Sequence, residues 1–157
     1  MKTAVLDKLV LALATLFGVG YLPLCPGSAS CVAAVLVYLL IPSRIIFFIV
    51  TALCTITAFL VSGRAEKLFG RKDCQWIVID DFSGMLIAFL YLPHTAAPIF
   101  IPAVFFLFRM LDMLKIPPAN IIERYDGARG IVGDDVVAGL YSLVVIQAVR
   151  AILAIIS

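Results

Sequence analysis

The chain has 157 residues, is 64% hydrophobic with a mean hydropathy of +1.15, and carries a net charge of +2. Soluble domains are about 45–50% apolar, so this surplus excludes an ordinary water-soluble globule and points to a single integral-membrane domain over residues 1–157. The charge is too small, and too little interleaved with aromatics, for a nucleic-acid partner. Cys25, Cys31, Cys54 and Cys74 form no C-x-x-C pair, and His94 is the one histidine, which excludes a zinc site and a secreted disulfide framework. The cysteines read as small buried hydrophobes.

Residues 4–19 predict a helix apolar around most of its circumference, with Asp7 and Lys8 near its start. It is short of the about 20 residues a span needs, so it is expected to lie in the membrane interface and to be retained rather than cleaved as a signal peptide. A loop follows over 20–30, with Ser28 or Ser30 as the N-cap of the next helix. Residues 31–41 are apolar until Pro42 breaks them, and 45–62 form a clean spanning segment. The stretch 62–73, SGRAEKLFGRKD, reads as a charged loop with Glu66 and Asp73 solvated. Residues 75–92 are apolar apart from Gln75, Asp80, Asp81 and Ser83, with Trp76 and Tyr91 as interfacial anchors. After a short turn that holds His94, 99–111 form another apolar helix, 116–134 are polar and glycine-bearing, and 136–156 are a last apolar helix containing Arg150. Glu123, Arg124 and Asp126 read as a polar helix surface and its cap, and Gly84 and Gly139 as points of close helix contact. In lipid these runs predict an all-α bundle of about four to five membrane helices plus the interfacial N-terminal helix.

Lys2, Lys8, Arg64, Lys67, Arg71, Lys72, Lys115, Arg124 and Arg129 fall on one side of this topology, and Arg44 on the other. The lysine and arginine bias therefore places the N-terminus and both polar loops in the cytoplasm. Asp80 and Asp81 should lie about one and a half turns into their helix, and Asp134 and Asp135 at the entrance of the last one. Arg109, Asp112 and Lys115 reach the same boundary, with Arg109 and Asp112 on one helix face.

Carboxylates at the edge of hydrocarbon are costly unless paired, hydrated or bound to a cation, and adjacent ones repel. Mg²⁺ answers both problems, because it takes oxygen ligands and is satisfied by one or two carboxylates plus substrate phosphate. Acids with nearby Arg and Lys suit a phosphate ester. Other phosphoryl-transfer signatures are missing: there is no C-x5-R, no D-x-D, no histidine pair and no Walker lysine. The segment YDGARGIVGDD is similar in part to the CDP-alcohol phosphatidyltransferases, whose D-x2-D-G-x2-A-R and G-x3-D-x3-D spacings it does not keep. A non-enzymatic carrier is the other alternative, but it would want acids near the midplane rather than clustered at one boundary.

Four stretches in order resemble the phosphatidylglycerophosphatase A family, whose pattern runs P-G-T/S, I-V-x-D-E-x-x-G, F-R-x-x-D-x-x-K-P-x-P and G-x-x-G-I-M-x-D-D-x-x-A-G. Here they read Pro26-Gly27-Ser28; Ile77 to Asp81 with Gly84; Phe108-Arg109 with Asp112, Lys115 and Pro118; and Gly127, Gly130-Ile131-Val132, Asp134-Asp135 and Ala138-Gly139. Asp81 stands where the family has Glu, and Ile116 where it has Pro. The resemblance implies Mg²⁺-dependent hydrolysis of phosphatidylglycerophosphate at the cytoplasmic face of the bacterial inner membrane. It implies Asp80, Asp81, Asp134 and Asp135 as catalytic residues, and those four with Asp112 as metal ligands. Arg109, Lys115, Arg129 and Ser28 are implied as substrate-binding, with the phospholipid and its membrane as partners. An aspartyl-phosphate intermediate and direct attack by water both stay open.

Overall fold

The computed structural model describes residues 2–71, 74–96 and 98–156, without the side chains of Lys2 and Thr3. Lys72 and Asp73 of the expected charged loop lie outside the described residues. The chain is all α-helical, with no strand among the described residues: α1 (Lys2–Ala14), α2 (Pro26–Leu40), α3 (Arg44–Phe69), α4 (Ile79–Phe89), α5 (Phe100–Leu114), α6 (Ala119–Ile122) and α7 (Ala128–Ile156).

The caps explain most boundaries. Pro26 occupies the first turn of α2, where its missing N–H costs nothing, and Pro42 follows the end of that helix. The N-cap is Cys25 rather than a serine; Ser28 sits inside the first turn, and the buried Ser30 hydroxyl donates to the Gly27 carbonyl at 2.6 Å. Helix α3 continues through most of the expected loop and stops at Gly70, whose φ of 64° lets its N–H reach the carbonyls of Glu66 and Lys67. Helix α4 begins only at Ile79, because 74–78 form a turn whose Val78 N–H donates to the Ala14 carbonyl at 3.0 Å. Asp80 and Asp81 therefore stand in its first turn, beside the positive end of the helix dipole, rather than one and a half turns in. Helix α7 starts eight residues earlier than expected, so Asp134 and Asp135 lie about 9–10 Å inside it.

Helix α4 is the axis of the bundle. Nearly every residue on it is buried, and α2, α3, α5 and α7 all pack against it. Gly84 and Gly139 meet where α4 crosses α7: a Cβ on Gly139 would lie 3.2 Å from both the Gly84 carbonyl carbon and the Ile87 Cβ. One core cluster joins Tyr38, Phe47, Met85, Phe89, Val104, Phe108 and Ile146; a second joins Val10, Ala58, Val61, Ile77, Ile79 and Val132. Helix α1 lies along α3, where Asp7 is paired with Arg64 at 2.7 Å. Trp76 packs between Tyr21 and Phe69, and Tyr91 is exposed at the other end of α4.

The outside of the bundle is apolar. Ile45, Phe48, Ile49, Leu53, Ile56 and Leu60 on α3, and Val144, Val145, Ile152 and Leu153 on α7, are all exposed. These two helices, of 26 and 29 residues with peak mean hydropathy 2.5 and 2.0, are long and apolar enough to cross a membrane. Helices α2, α4 and α5, at 15, 11 and 15 residues, fall short of the usual length of a full span. At the end remote from the aspartates, the His94 ring stacks on Tyr38 at 4.4 Å and its Nε2 faces the Ile41 carbonyl at 3.1 Å, so this turn residue also joins two turns. All four cysteines are free: Cys31 and Cys74 are buried, Cys54 is half-buried and Cys25 is exposed.

Candidate active site

The first turns of α2 and α4, the last turn of α5 and the second turn of α7 converge on one cleft of about 510 Å³. Its wall includes Ser28, Asp80, Asp81, Arg109, Asp112, Lys115, Asp134 and Asp135, with Cys25, Gln75, Phe105, Phe106 and Met113 toward its rim. Eight of the nine residues singled out in the sequence are thus brought together. Arg129 is exposed in the first turn of α7 and does not line the cleft.

Adjacent aspartates on a helix point about 100° apart, so each Asp-Asp pair divides its work. Asp81, Asp112 and Asp135, from three different helices, each bring a carboxylate oxygen within 4.8 Å of the others. Asp80 and Asp134 turn back instead: their Oδ1 atoms accept the backbone N–H of Asp81 at 2.9 Å and of Asp135 at 3.1 Å. Arg109 Nη1 forms ion pairs with Asp81 and, at 2.9 Å, with Asp112 Oδ2. Lys115 Nζ lies 2.5 Å from Glu123 Oε1 and 3.1 Å from Asp134 Oδ2. Burial alone would lower the Lys115 pKa, but the two carboxylates hold it above the ordinary lysine value. Glu123, read from the sequence as helix surface, is therefore the outer partner of a cleft lysine. Only the three-dimensional fold supplies that contact, since seven residues, the short α6 among them, separate the two.

Gly27 permits the closest approach in the cleft. A Cβ there would collide with the Asp81 carboxylate, whose Cγ would be 3.0 Å away, so glycine lets the N-terminal turn of α2 sit against Asp81 without displacing its carboxylate.

Five carboxylates line the cleft against two cations. Asp135 Oδ1 is buried and has no hydrogen-bond partner, a costly state for a charged oxygen. An all-oxygen carboxylate cluster with an unpartnered buried ligand atom fits a hard divalent cation. A cation there, with Arg109 and Lys115, would let a negatively charged phosphate enter a cleft that otherwise repels it.

The family model described as phosphatidylglycerophosphatase A matches residues 12–150 of the chain. Phosphatidylglycerophosphatase A of Haemophilus influenzae is 32% identical over 142 residues, covering 88% of this chain and 86% of that protein. Its Escherichia coli namesake is 34% identical over 134 residues, covering 83% and 77%. A Bacteroides thetaiotaomicron protein, named provisionally as a phosphatidylinositol-3-phosphatase, is 30% identical over 141 residues, covering 85% and 89%. No solved structure matches the chain.

Proposed function

The chain belongs to the phosphatidylglycerophosphatase A family, a family of phosphatases, and we propose that it hydrolyses phosphatidylglycerophosphate to phosphatidylglycerol and inorganic phosphate. In the net reaction the bond between phosphorus and the glycerol oxygen breaks, phosphorus gains an oxygen from water, and the glycerol oxygen leaves with a proton. The observation that carries this reading is the meeting of Asp81, Asp112 and Asp135 beside Arg109, with Asp135 Oδ1 buried and unpartnered.

Asp81, Asp112 and Asp135 would hold the metal, which we take to be Mg²⁺; when bound it supplies charge neutralisation and polarisation of the phosphoryl oxygens. Arg109 and Lys115 bind phosphate oxygens, Arg109 through its planar fork and Lys115 as a point charge. Ser28, in the first turn of α2, adds a hydroxyl and a backbone N–H at the positive end of that helix. Asp80 and Asp134 keep Asp81 and Asp135 in place through the backbone bonds described above and can orient the attacking water. Arg129 belongs to the membrane boundary rather than to the phosphate seat.

The cleft opens at the end of the bundle that carries Lys8, Arg64, Lys67, Lys115, Arg124 and Arg129, which supports a cytoplasmic-facing site in the bacterial inner membrane. In this arrangement α3 and α7 cross the bilayer. Helices α2, α4 and α5 lie within it beside them, and α1 lies at the interface.

Phosphate release by purified protein, with Mg²⁺ or with EDTA, tests the reading. Phosphatidylglycerophosphate should be hydrolysed only with the metal and far faster than phosphatidylinositol 3-phosphate. The opposite preference would place this chain with its Bacteroides relative, and metal-independent turnover would remove the cation from the mechanism.

A further inference from the structure

The end of the bundle opposite the cleft is chemically one-sided. All ten acids of the chain lie outside residues 8–65, 82–111 and 136–156, so the parts of these stretches that reach this end, around residues 41–47, 89–96 and 146–156, contain none. They do contain Arg44 and Arg150. Both flank the turn after α4: Arg44 lines a small pocket with Leu90, Leu92 and Pro93, and Arg150 Nη1 lies 3.4 Å from the Tyr91 carbonyl. Arg150 is 15 residues beyond Asp135 on α7, about 22 Å along the helix, and so close to the far boundary of a hydrocarbon core about 30 Å thick.

Arg150 is held in place from its own helix. Its Nη1 donates to Gln147 Oε1 at 2.7 Å, while Gln147 Nε2 is buried and has no partner. Arg150 lines an apolar groove of about 350 Å³ together with Phe100, Leu153, Ala154 and Ile156. A cation held in place without an acid, on the wall of an apolar groove, matches an anionic phospholipid: phosphodiester oxygens on the guanidinium, one acyl chain in the groove.

We propose that Arg150 and the groove between α5 and α7 form a binding site for an anionic phosphodiester lipid in the leaflet opposite the catalytic cleft. The site is separate from hydrolysis and does not rest on the substrate assignment. Its ligand carries no phosphomonoester and gives the cleft nothing to cleave.

Detergent-solubilised protein, stripped of lipid, is titrated with phosphatidylserine or phosphatidylcholine, and bound lipid is counted by native mass spectrometry while thermal stability is followed. Wild type is expected to retain one phosphatidylserine in preference to phosphatidylcholine and to melt higher with it. Arg150→Gln should weaken phosphatidylserine binding about tenfold, the scale of one lost charge-assisted contact, and Arg150→Lys less. Asp135→Asn, altered only in the cleft, should bind like wild type. Equal retention of the two lipids by wild type, or undiminished phosphatidylserine binding by Arg150→Gln melting like wild type without lipid, would overturn the proposal. So would loss of binding in Asp135→Asn, which would put the lipid in the cleft.

Discussion

Arg109 joins α5 to α4 through its ion pair with Asp81, across 28 residues of sequence, while a second carboxylate, Asp112, holds the same guanidinium from one turn further along α5. The arginine thus aligns two of the three acids that converge in the cleft and keeps them from repelling each other. Arg109→Ala removes that alignment together with the donor proposed for phosphate. Loss of one preorganised donor typically costs about 10²–10³ in kcat, and kcat/KM for phosphate release should fall by at least that much. Arg109→Lys keeps the charge without the planar fork and should restore only part of the activity. Wild-type turnover in the alanine variant would detach Arg109 from the reaction.

Gly27 separates stability from catalysis. Alanine is the better helix former by up to about 1 kcal/mol, so Gly27→Ala should melt no lower than wild type. Its new methyl group would nevertheless occupy the place of the Asp81 carboxylate and push it aside. Misplacement of a site group by about 1 Å can cost 10²-fold, so activity should fall on that order while the melting temperature holds. Thermal unfolding in detergent, run beside the phosphate assay, checks both halves, and unchanged activity would show that Asp81 tolerates the shift.

The long apolar helices and the order of the charged stretches were legible in the sequence because both are local patterns. Helix starts were less so. Residues 62–69 look like a loop by charge, yet Arg64, Glu66 and Lys67 are good helix formers, and Ser62 and Ala65 are buried against the bundle. Residues 128–135 look like a turn because of Gly130 and Gly133, but those glycines serve close packing: a Cβ on Gly130 would lie 2.9 Å from the Glu123 carbonyl oxygen, and one on Gly133 would strike the Ile122 side chain. The sequence nominated five aspartates without ranking them. Which member of each pair faces the shared point depends on helix rotation, and that is fixed by tertiary contacts such as Gly84 on Gly139. The pairing of Lys115 with Glu123 was invisible for the same reason.

That glycine contact can be probed directly. A Cβ on Gly84 would sit 2.7 Å from the Asp135 carbonyl oxygen and 2.9 Å from the Phe108 ring, neither of which is free to retreat. Gly84→Ala should therefore lower stability by about 1–3 kcal/mol, the usual cost of overpacking a tight core. It should also lower activity, because α4 carries Asp81 and α7 carries Asp135 and the substitution drives those helices apart. A variant with wild-type stability and wild-type turnover would mean that α4 and α7 can separate without moving the acids.

Asp135 provides a test of the cation that does not depend on turnover. Its Oδ1 is buried without a partner, so a divalent ion that binds there stabilises the folded protein by mass action. At a free concentration 100 times Kd the gain is about 2.7 kcal/mol. Mg²⁺ should therefore raise the melting temperature of wild type in detergent, and EDTA should reverse the rise. Asp135→Asn removes the charge of the proposed ligand and relieves the crowding of carboxylates together. It should melt at or above the metal-free wild type, show little further gain from Mg²⁺, and release no phosphate. A variant that still gains stability from Mg²⁺ as wild type does would move the ion away from Asp135, leaving Asp81 and Asp112 to be examined by the same titration.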